Sequence, residues 1–505
     1  MKEVNEVKAG AVLSYASIFI NIIISLIYSP IMLRLLGQSE YGLFSLIGSL
    51  VGYLTILDLG LGNAIIRYTA RNRVIGDEEA EARLNGMFVA LYCVIGLLTV
   101  SIGTVLYLNL DNMFGPTLSV LELQKAKIMT LLLIFNFAVS FPLGVFGSII
   151  QAYEKFVFFK LLAIARTLLT PLIILPLLLW GYGSVAMVVV QTVLNLAVLL
   201  VNMVYALKKL DVKIYFGQYD WALLKEIAGY SFFIFLNIIV DKIYWSTGQF
   251  ILGIVSGTVL VAIYAVAMNL NTMYILFSTA VSGVLLPRIT MMVANDASNE
   301  ALSEMMVRIG RVQYVVMAYI LSGFILFGQA FINLWAGENY RDAYHIVLLV
   351  MIPITIPLIQ NTGILILQAK NRQGFRSVVY LVIAVLNIAA SIPLAKVWGG
   401  LGCALATGVS LVIGNVIIMN IYYHRQIHLN IPMFWQNIVR MSLPVVLALA
   451  CGYGIDMFIS QTGFLGLGLK IVLFSVVYIG LMWWWGLNSY EKDLFLSPIR
   501  KVFNG

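Results

Sequence analysis

Near the start of the chain two apolar runs, about 11–36 and 42–66, flank a short polar turn, Gly37-Gln38-Ser39-Glu40-Tyr41. Each run is long enough to cross the ~30 Å hydrocarbon core of a bilayer, which takes about 20 helical residues. In lipid a continuous helix satisfies every backbone polar group, which an open strand does not. The pair therefore reads as a transmembrane hairpin. Its second run ends in Asp58-Leu-Gly-Leu-Gly62, followed by Arg67, Arg71 and Arg73. That basic cluster assigns this end of the hairpin to the cytoplasmic side.

Composition extends the reading to the whole chain. Of 505 residues, 61% are hydrophobic and 11% charged, with a mean hydropathy of +0.96. Soluble chains carry about 25% charge, so a soluble fold is excluded. The net charge of +8 sits in short loops between apolar runs, which points to membrane orientation rather than nucleic acid. Cys93, Cys403 and Cys451 lie in or beside apolar runs and read as buried free thiols. His345, His424 and His428 match no metal-ligand spacing. Lys2 and Lys8 precede an apolar run of about 25 residues with no small-residue cleavage site, so a retained first helix is expected rather than a leader. No polar gap exceeds an ordinary loop, and no second soluble domain is expected.

Apolar runs between 11 and 487 predict an all-α polytopic membrane protein with fourteen transmembrane helices. With the N-terminus in the cytoplasm, all but seven of the 31 Lys and Arg fall in cytoplasmic segments. The exceptions are Arg34, Lys125, Lys127, Arg341, Lys396 and Lys470 outside, and Lys242 within a span. Both termini are then cytoplasmic. Within Pro287–Val312 the pattern after Asn299 reads as a short cytoplasmic helix. Tyr423–Met441 reads as an interfacial segment. The tail from Asn488 reads as an amphipathic surface helix, and Trp483-Trp484-Trp485 as belonging to an aromatic belt.

Several points recur at one offset. Leu36-Gly37 matches Leu252-Gly253, Gly42-Leu-Phe-Ser45 matches Ala262-Ile-Tyr-Ala265, Ile150-Gln-Ala-Tyr153 matches Leu367-Gln-Ala-Lys370, and Trp180-Gly181 matches Trp398-Gly399. The predicted organisation is an N-terminal lobe of six helices (1–209), a cytoplasmic linker (210–227), a C-terminal lobe of six (228–424), and a final segment (425–505) with two appended helices and the tail. An even number of spans per copy makes this a parallel repeat, with the substrate path expected between lobes.

The hairpin L-G-x-x-x-Y-G…D-L-G-L-G-x-A…R, the Gln-Ala-basic turns and Gly400–Thr407 together resemble the polysaccharide-export branch of the MOP exporter superfamily. The resemblance covers about residues 10–425. It implies a MATE-like fold and a Wzx-type flippase, which moves polyprenyl-pyrophosphate-linked oligosaccharide from the inner to the outer leaflet of the bacterial inner membrane by alternating access. The implied partners are that lipid-linked substrate, membrane lipids, a polysaccharide polymerase and glycosyltransferases. The chain departs from the family in having Gly248-Gln249 where a charged pair is common.

Charges within spans are the first candidates for function. Lys242 is either a cation that draws the pyrophosphate or one half of an ion pair with another helix. Asn237, Asp241, Trp245 and Gln249 share one face of a helix and suit either sugar binding or helix–helix hydrogen bonding. Arg34 lines an outer mouth or snorkels to headgroups, and Arg166 has the same two readings. Asp58 and Asp241 are candidates for coupling H+ or Na+, while Asp58 equally suits local hydrogen bonding beside its glycines. No other cofactor, and no metal, is expected. There is no Walker A pattern, catalytic triad or metal cluster, so the chain does not read as an enzyme. The competing readings are a multidrug or cation antiporter, which needs buried carboxylates, and a scaffold of a polysaccharide assembly complex.

Overall fold

The first N–H groups of a helix have no partner within it, and side chains of the sequence cap several helix starts. The computed structural model describes residues 2–217, 220–282, 286–459 and 463–503, and every regular element among them is helical. Residues 218–219 of the expected linker, 283–285 of the expected eighth span and 504–505 of the tail lie outside them. Asp77, Asp220, Ser298 and Asn430 each accept a backbone N–H at the start of a helix. Ser119 and Glu122 form a reciprocal capping box.

The chain divides into two compact units, Met1–Ala265 with Tyr380–Cys403, and Val266–Val379 with Ala404–Gly505. The first contains α1 (Lys2–Gly52), a 3-10 turn (Tyr53–Asp58), α2 (Leu61–Ile75), α3 (Glu78–Phe114), α4 (Val120–Ala152), α5 (Phe156–Leu179), α6 (Ser184–Lys208) and α7 (Trp221–Ser256). It also takes the start of α8 (Thr258–Ser282) and the middle of α13 (Gln373–Leu411). The second has the rest of those two helices, α9 (Leu286–Ala294), α10 (Asn299–Trp335), α11 (Ala343–Ile359), α12 (Asn361–Ala369), α14 (Met419–Arg425), α15 (Ile431–Phe458), α16 (Gly463–Leu481) and α17 (Ser489–Phe503).

Among the described residues eleven helices are long and apolar enough to cross a membrane, or twelve if α11 and α12, bent by 46°, form one span. Two of the eleven are continuous over Ala9–Ile75 and Gln373–Arg425, and each holds two of the apolar runs. Each is interrupted by a glycine between those runs, Gly37 at φ 75° and Gly399 at φ 55°. Only glycine enters that region without a side-chain penalty.

Turn geometry recurs along the chain. At the end of α4, the N–H groups of Tyr153, Glu154 and Lys155 donate to Ile149, Gln151 and Ile150; at the end of α12, those of Lys370, Asn371 and Arg372 donate to Ile366, Gln368 and Leu367. Glu154 and Asn371 have φ 57° and 52°. The turns after α6 and α14 match in the same way, with Asp211 and His428 at φ 51° and 58°. So do the turns after α2 and α9, where Asp77 bonds to Asn72 and Ala297 to Met292.

In the first unit the Gly37–Tyr41 turn is fastened by two carboxylates. Glu40 accepts from Lys125, and from Ser184 through its backbone N–H at 3.0 Å and its hydroxyl at 2.6 Å. Glu122 accepts from Ser39 at 2.6 Å and Thr258 at 2.8 Å as well as from its own cap. Gly42 abuts Thr258 so closely that a Cβ there would lie 1.9 Å from its carbonyl oxygen.

The second unit buries an ion pair. The Arg311 guanidinium meets Glu491 bidentately at 2.5 and 2.9 Å and also donates to the Gly486 carbonyl at 2.9 Å. The Glu491 side chain is fully buried. This contact holds the tail helix α17 onto α10, supported by Arg308 over the Tyr490 ring.

Three expectations are corrected here. The pattern after Asn299 is no separate short helix, because its apolar residues Leu302, Met306 and Ile309 are buried in a stripe that continues along α10. The expected interfacial segment is mostly the opening turns of α15, because Asn430 caps that helix and Ile431, Phe434 and Ile438 are buried. Of the thiols only Cys403 is buried; Cys93 and Cys451 are exposed on apolar helix faces, as suits a protein whose outer surface contacts lipid rather than water.

Two outcomes are expected. Burial alone would raise the Glu40 carboxyl, but hydrogen bonds from Lys125 and Ser184 outweigh it and hold it below the ordinary 4.5. A carboxyl lowered in the fold stabilises it above the unfolded value, and that contribution is lost as pH falls. The unfolding midpoint of the purified protein should drop as pH falls below about 4.5, and the drop should be shallower in Glu40→Gln; parallel profiles would contradict this. Separately, Glu491→Gln should destabilise the chain by about 3–5 kcal/mol, because it strands a buried guanidinium. Denaturant titration measures this, and a loss under 1 kcal/mol would contradict a buried pair.

Candidate functional site

Within the first unit, α1, α4, α5 and α6 surround a cavity of about 670 Å³, inside the range of small-molecule sites. Polar residues reach it at helical spacings: Asn21, Ser25 and Tyr28 from α1, Ser148 and Gln151 from α4, Arg166 and Thr170 from α5, Asn195 and Asn202 from α6. Among the described residues no carboxylate lines it.

Arg166 is its cation. Its Nη1 donates to Asn195 Oδ1 at 2.9 Å, and Asn195 Nδ2 donates in turn to Asn136 Oδ1 at 2.8 Å and Ser140 Oγ at 2.7 Å. The chain of amides fixes the guanidinium through a neutral partner, and Arg166 makes no ion pair among the described residues. A guanidinium has five N–H donors, so most of its capacity remains for a ligand. Tyr28 Oη and Asn202 Oδ1 are buried with no hydrogen-bond partner among the described residues. The cavity thus offers one positive charge with an unfilled donor–acceptor set, suited to an anion bearing hydroxyl groups.

None of the other residues singled out from the sequence lines this cavity. Arg34 is exposed on α1. Lys242, half-buried on α7, approaches Gly52 where α1 gives way to the 3-10 turn, with about 3.8 Å between its Nζ and the site of a Cβ there. It makes no ion pair with another helix among the described residues. Asn237, Trp245 and Gln249 are half-buried on the same helix and Asp241 is exposed. Asp58 accepts from Tyr92 Oη at 2.7 Å and from the backbone N–H groups of Gly60 and Gly62, which gives its carboxylate three local donors at the start of α2. Among the described residues no group of three His, Cys, Asp or Glu side chains is placed to hold a metal.

The chain is thus a multi-pass helical membrane protein with a polar cavity between four of its helices. The chain belongs to the polysaccharide biosynthesis protein family, whose model matches residues 7–293. No curated protein matches it in sequence. Its fold is shared with transporters of the MOP superfamily. It is similar to the lipid II flippase MurJ in an inward closed conformation, with a TM-score of 0.73 at 15% identity over 97% of this chain and 99% of that one. It also resembles an inward-facing multidrug resistance MATE family transporter (TM-score 0.57, 15% identity, 78% and 96% covered). A third similar fold is the MOP superfamily transporter from Pyrococcus furiosus whose binding pocket is described as of reverse polarity (TM-score 0.56, 15% identity, 83% and 97% covered). These three similar structures are a flippase and two transporters.

Tyr28, Gln151, Asn195 and Asn202 were not among the sequence candidates. Their signal was present as uncharged polar residues three, four or seven apart inside apolar runs, one face of each helix. Because the Tyr28 hydroxyl has no partner to lose, Tyr28→Phe should leave the unfolding free energy within about 0.5 kcal/mol of native or raise it. Thermal melts of the detergent-purified chain check this; a clear fall would show that the hydroxyl is bonded.

Proposed function

We propose that the chain carries a polyprenyl-pyrophosphate-linked oligosaccharide from the inner to the outer leaflet of the bacterial inner membrane by alternating access. The observation that carries this reading is the Arg166 cavity, with a cation, no carboxylate and an open set of amides and hydroxyls. A pyrophosphate recruits a guanidinium through charge-assisted hydrogen bonds, and sugar hydroxyls complete Tyr28 and Asn202. An antiporter for organic cations needs the opposite lining. Membership of the polysaccharide biosynthesis family supports the substrate class, and the similarity to a lipid II flippase supports a lipid-linked one.

The finer architecture belongs to the same proposal. Fourteen spans follow if Gly37 and Gly399 each divide one span from the next and the bent α11–α12 pair crosses once. The recurring turns support two related six-helix halves, 1–209 and 228–424, joined by 210–227 and followed by 425–505. Both termini are then cytoplasmic. In this reading Lys242 and the α7 face of Asn237, Trp245 and Gln249 contact the substrate later in its path, with Arg34 at the outer mouth. Asp241 or Asp58 couples H+ or Na+, Asp58 only by releasing its local donors. Polymerase and glycosyltransferases supply and consume the substrate.

Transfer of a fluorescent polyprenyl-pyrophosphate oligosaccharide across proteoliposomes tests this. Arg166→Gln should lower the rate by about tenfold or more with an unchanged unfolding midpoint, and Lys242→Gln should also slow it. Native-rate transfer by Arg166→Gln would remove this cavity from the path. Transport of an organic cation in place of the lipid-linked glycan would favour the antiporter, and transport of neither the scaffold.

A further inference from the structure

The three recurring turns of the second unit enclose a cavity of about 580 Å³, lined by Lys370, Arg372, His428, Asn299 and Asp296. The same turns in the first unit enclose one of about 360 Å³, lined by Arg73, Lys213, Glu78, Glu81 and Asp211. The frames correspond: Ser298 caps α10 as Asp77 caps α3, Lys370 stands where Tyr153 does, Arg372 where Lys155 does, and His428 where Asp211 does. The charges do not.

In the first frame the two lysines meet acids, and Arg73 donates to the Ala152 carbonyl at 3.0 Å. Lys213 pairs with Glu78 at 2.9 Å and Lys155 with Glu6 at 3.2 Å. Tyr153 donates to Glu81 at 2.7 Å while Arg73 lies over its ring at 3.8 Å. In the second frame the cap falls one residue later than in the first; counted from the caps Asn299 and Leu302, and counted from the turns Ser298 and Ala301, stand where Glu78 and Glu81 do, so no acid does. Lys370 donates to the neutral Asn299 Oδ1 at 2.8 Å, and Arg372 reaches the Gln426 carbonyl at a long 3.4 Å. Asp296, on the rim, forms an ion pair with neither. Burial first, and the neighbouring Arg372 second, hold the Lys370 ammonium below its ordinary value. That is the state of a cation lacking a counter-charge.

We propose that the second cradle is a phosphate-group site, in which Lys370 and Arg372 bind an anion that takes the place of the two carboxylates built into the first. His428 and Asn299 supply further donors. The phosphate belongs either to an anionic lipid headgroup, since the cradle lies at helix ends, or to a free phosphate. The site is separate from the Arg166 cavity and does not depend on the transport reading.

The test uses the full chain, with Lys370→Gln/Arg372→Gln against the first-cradle control Lys155→Gln/Lys213→Gln. One arm titrates inorganic phosphate into detergent-purified protein by calorimetry. The other measures retention of phosphatidylglycerol over phosphatidylcholine by native mass spectrometry. The native chain and the control should bind in at least one arm, and the Lys370/Arg372 variant should bind about tenfold or more weakly. The arm that responds identifies the source. No binding in either arm, equal binding by native and variant, or an equal loss in the control would overturn the proposal. If the double variant does not fold, exposed Arg372→Gln alone should still show a severalfold loss.

Discussion

Two glutamates at helix ends organise the first unit. In a chain this apolar the helices have little to choose between as neighbours, since one lipid-like face packs much like another. Polar groups decide. Glu40 joins the break in α1 to the starts of α4 and α6, and Glu122 joins that same turn to the start of α8. Between them they specify four helix ends with donors that tolerate little displacement. Gly42 against Thr258 then sets how near the helices come, because any side chain there would push them apart.

The fold was legible where polar and apolar residues alternate on the scale of a whole span. The break at Gly37 and the turns that follow Gln151-Ala152 and Gln368-Ala369 fall where residue order puts them. Packing was not legible. The expected repeat sets residues 228–424 against the first half, yet α7 and the Tyr380–Cys403 stretch of α13 belong to the first unit. An offset between similar segments records kinship, whereas contacts depend on surface shape that no offset encodes. The π-helical turn at Val412–Ile418 likewise left no mark that periodicity could detect.

The site was half legible for a similar reason. A charge in an apolar run stands out, so the sequence singles out Arg166, which lines the cavity. Amides and hydroxyls cost less to place in a span and are common there as links between helices. Tyr28, Asn195 and Asn202 became distinguishable only when the cavity showed which of them lacked partners. Asp58 shows the reverse: its charge stood out, and its surroundings turn out to be local donors from Tyr92 and two glycines.

Arg311 and Glu491 lie 180 residues apart in the chain. Synthesis therefore delivers α10, with its guanidinium, long before the carboxylate that completes it. Through all that time the cation needs water or a lipid phosphate, so the surface of α10 that will be covered must stay open. The last helix closes it. A chain halted before Glu491 keeps a charged, uncovered seam, so this one contact registers whether α17 has been made.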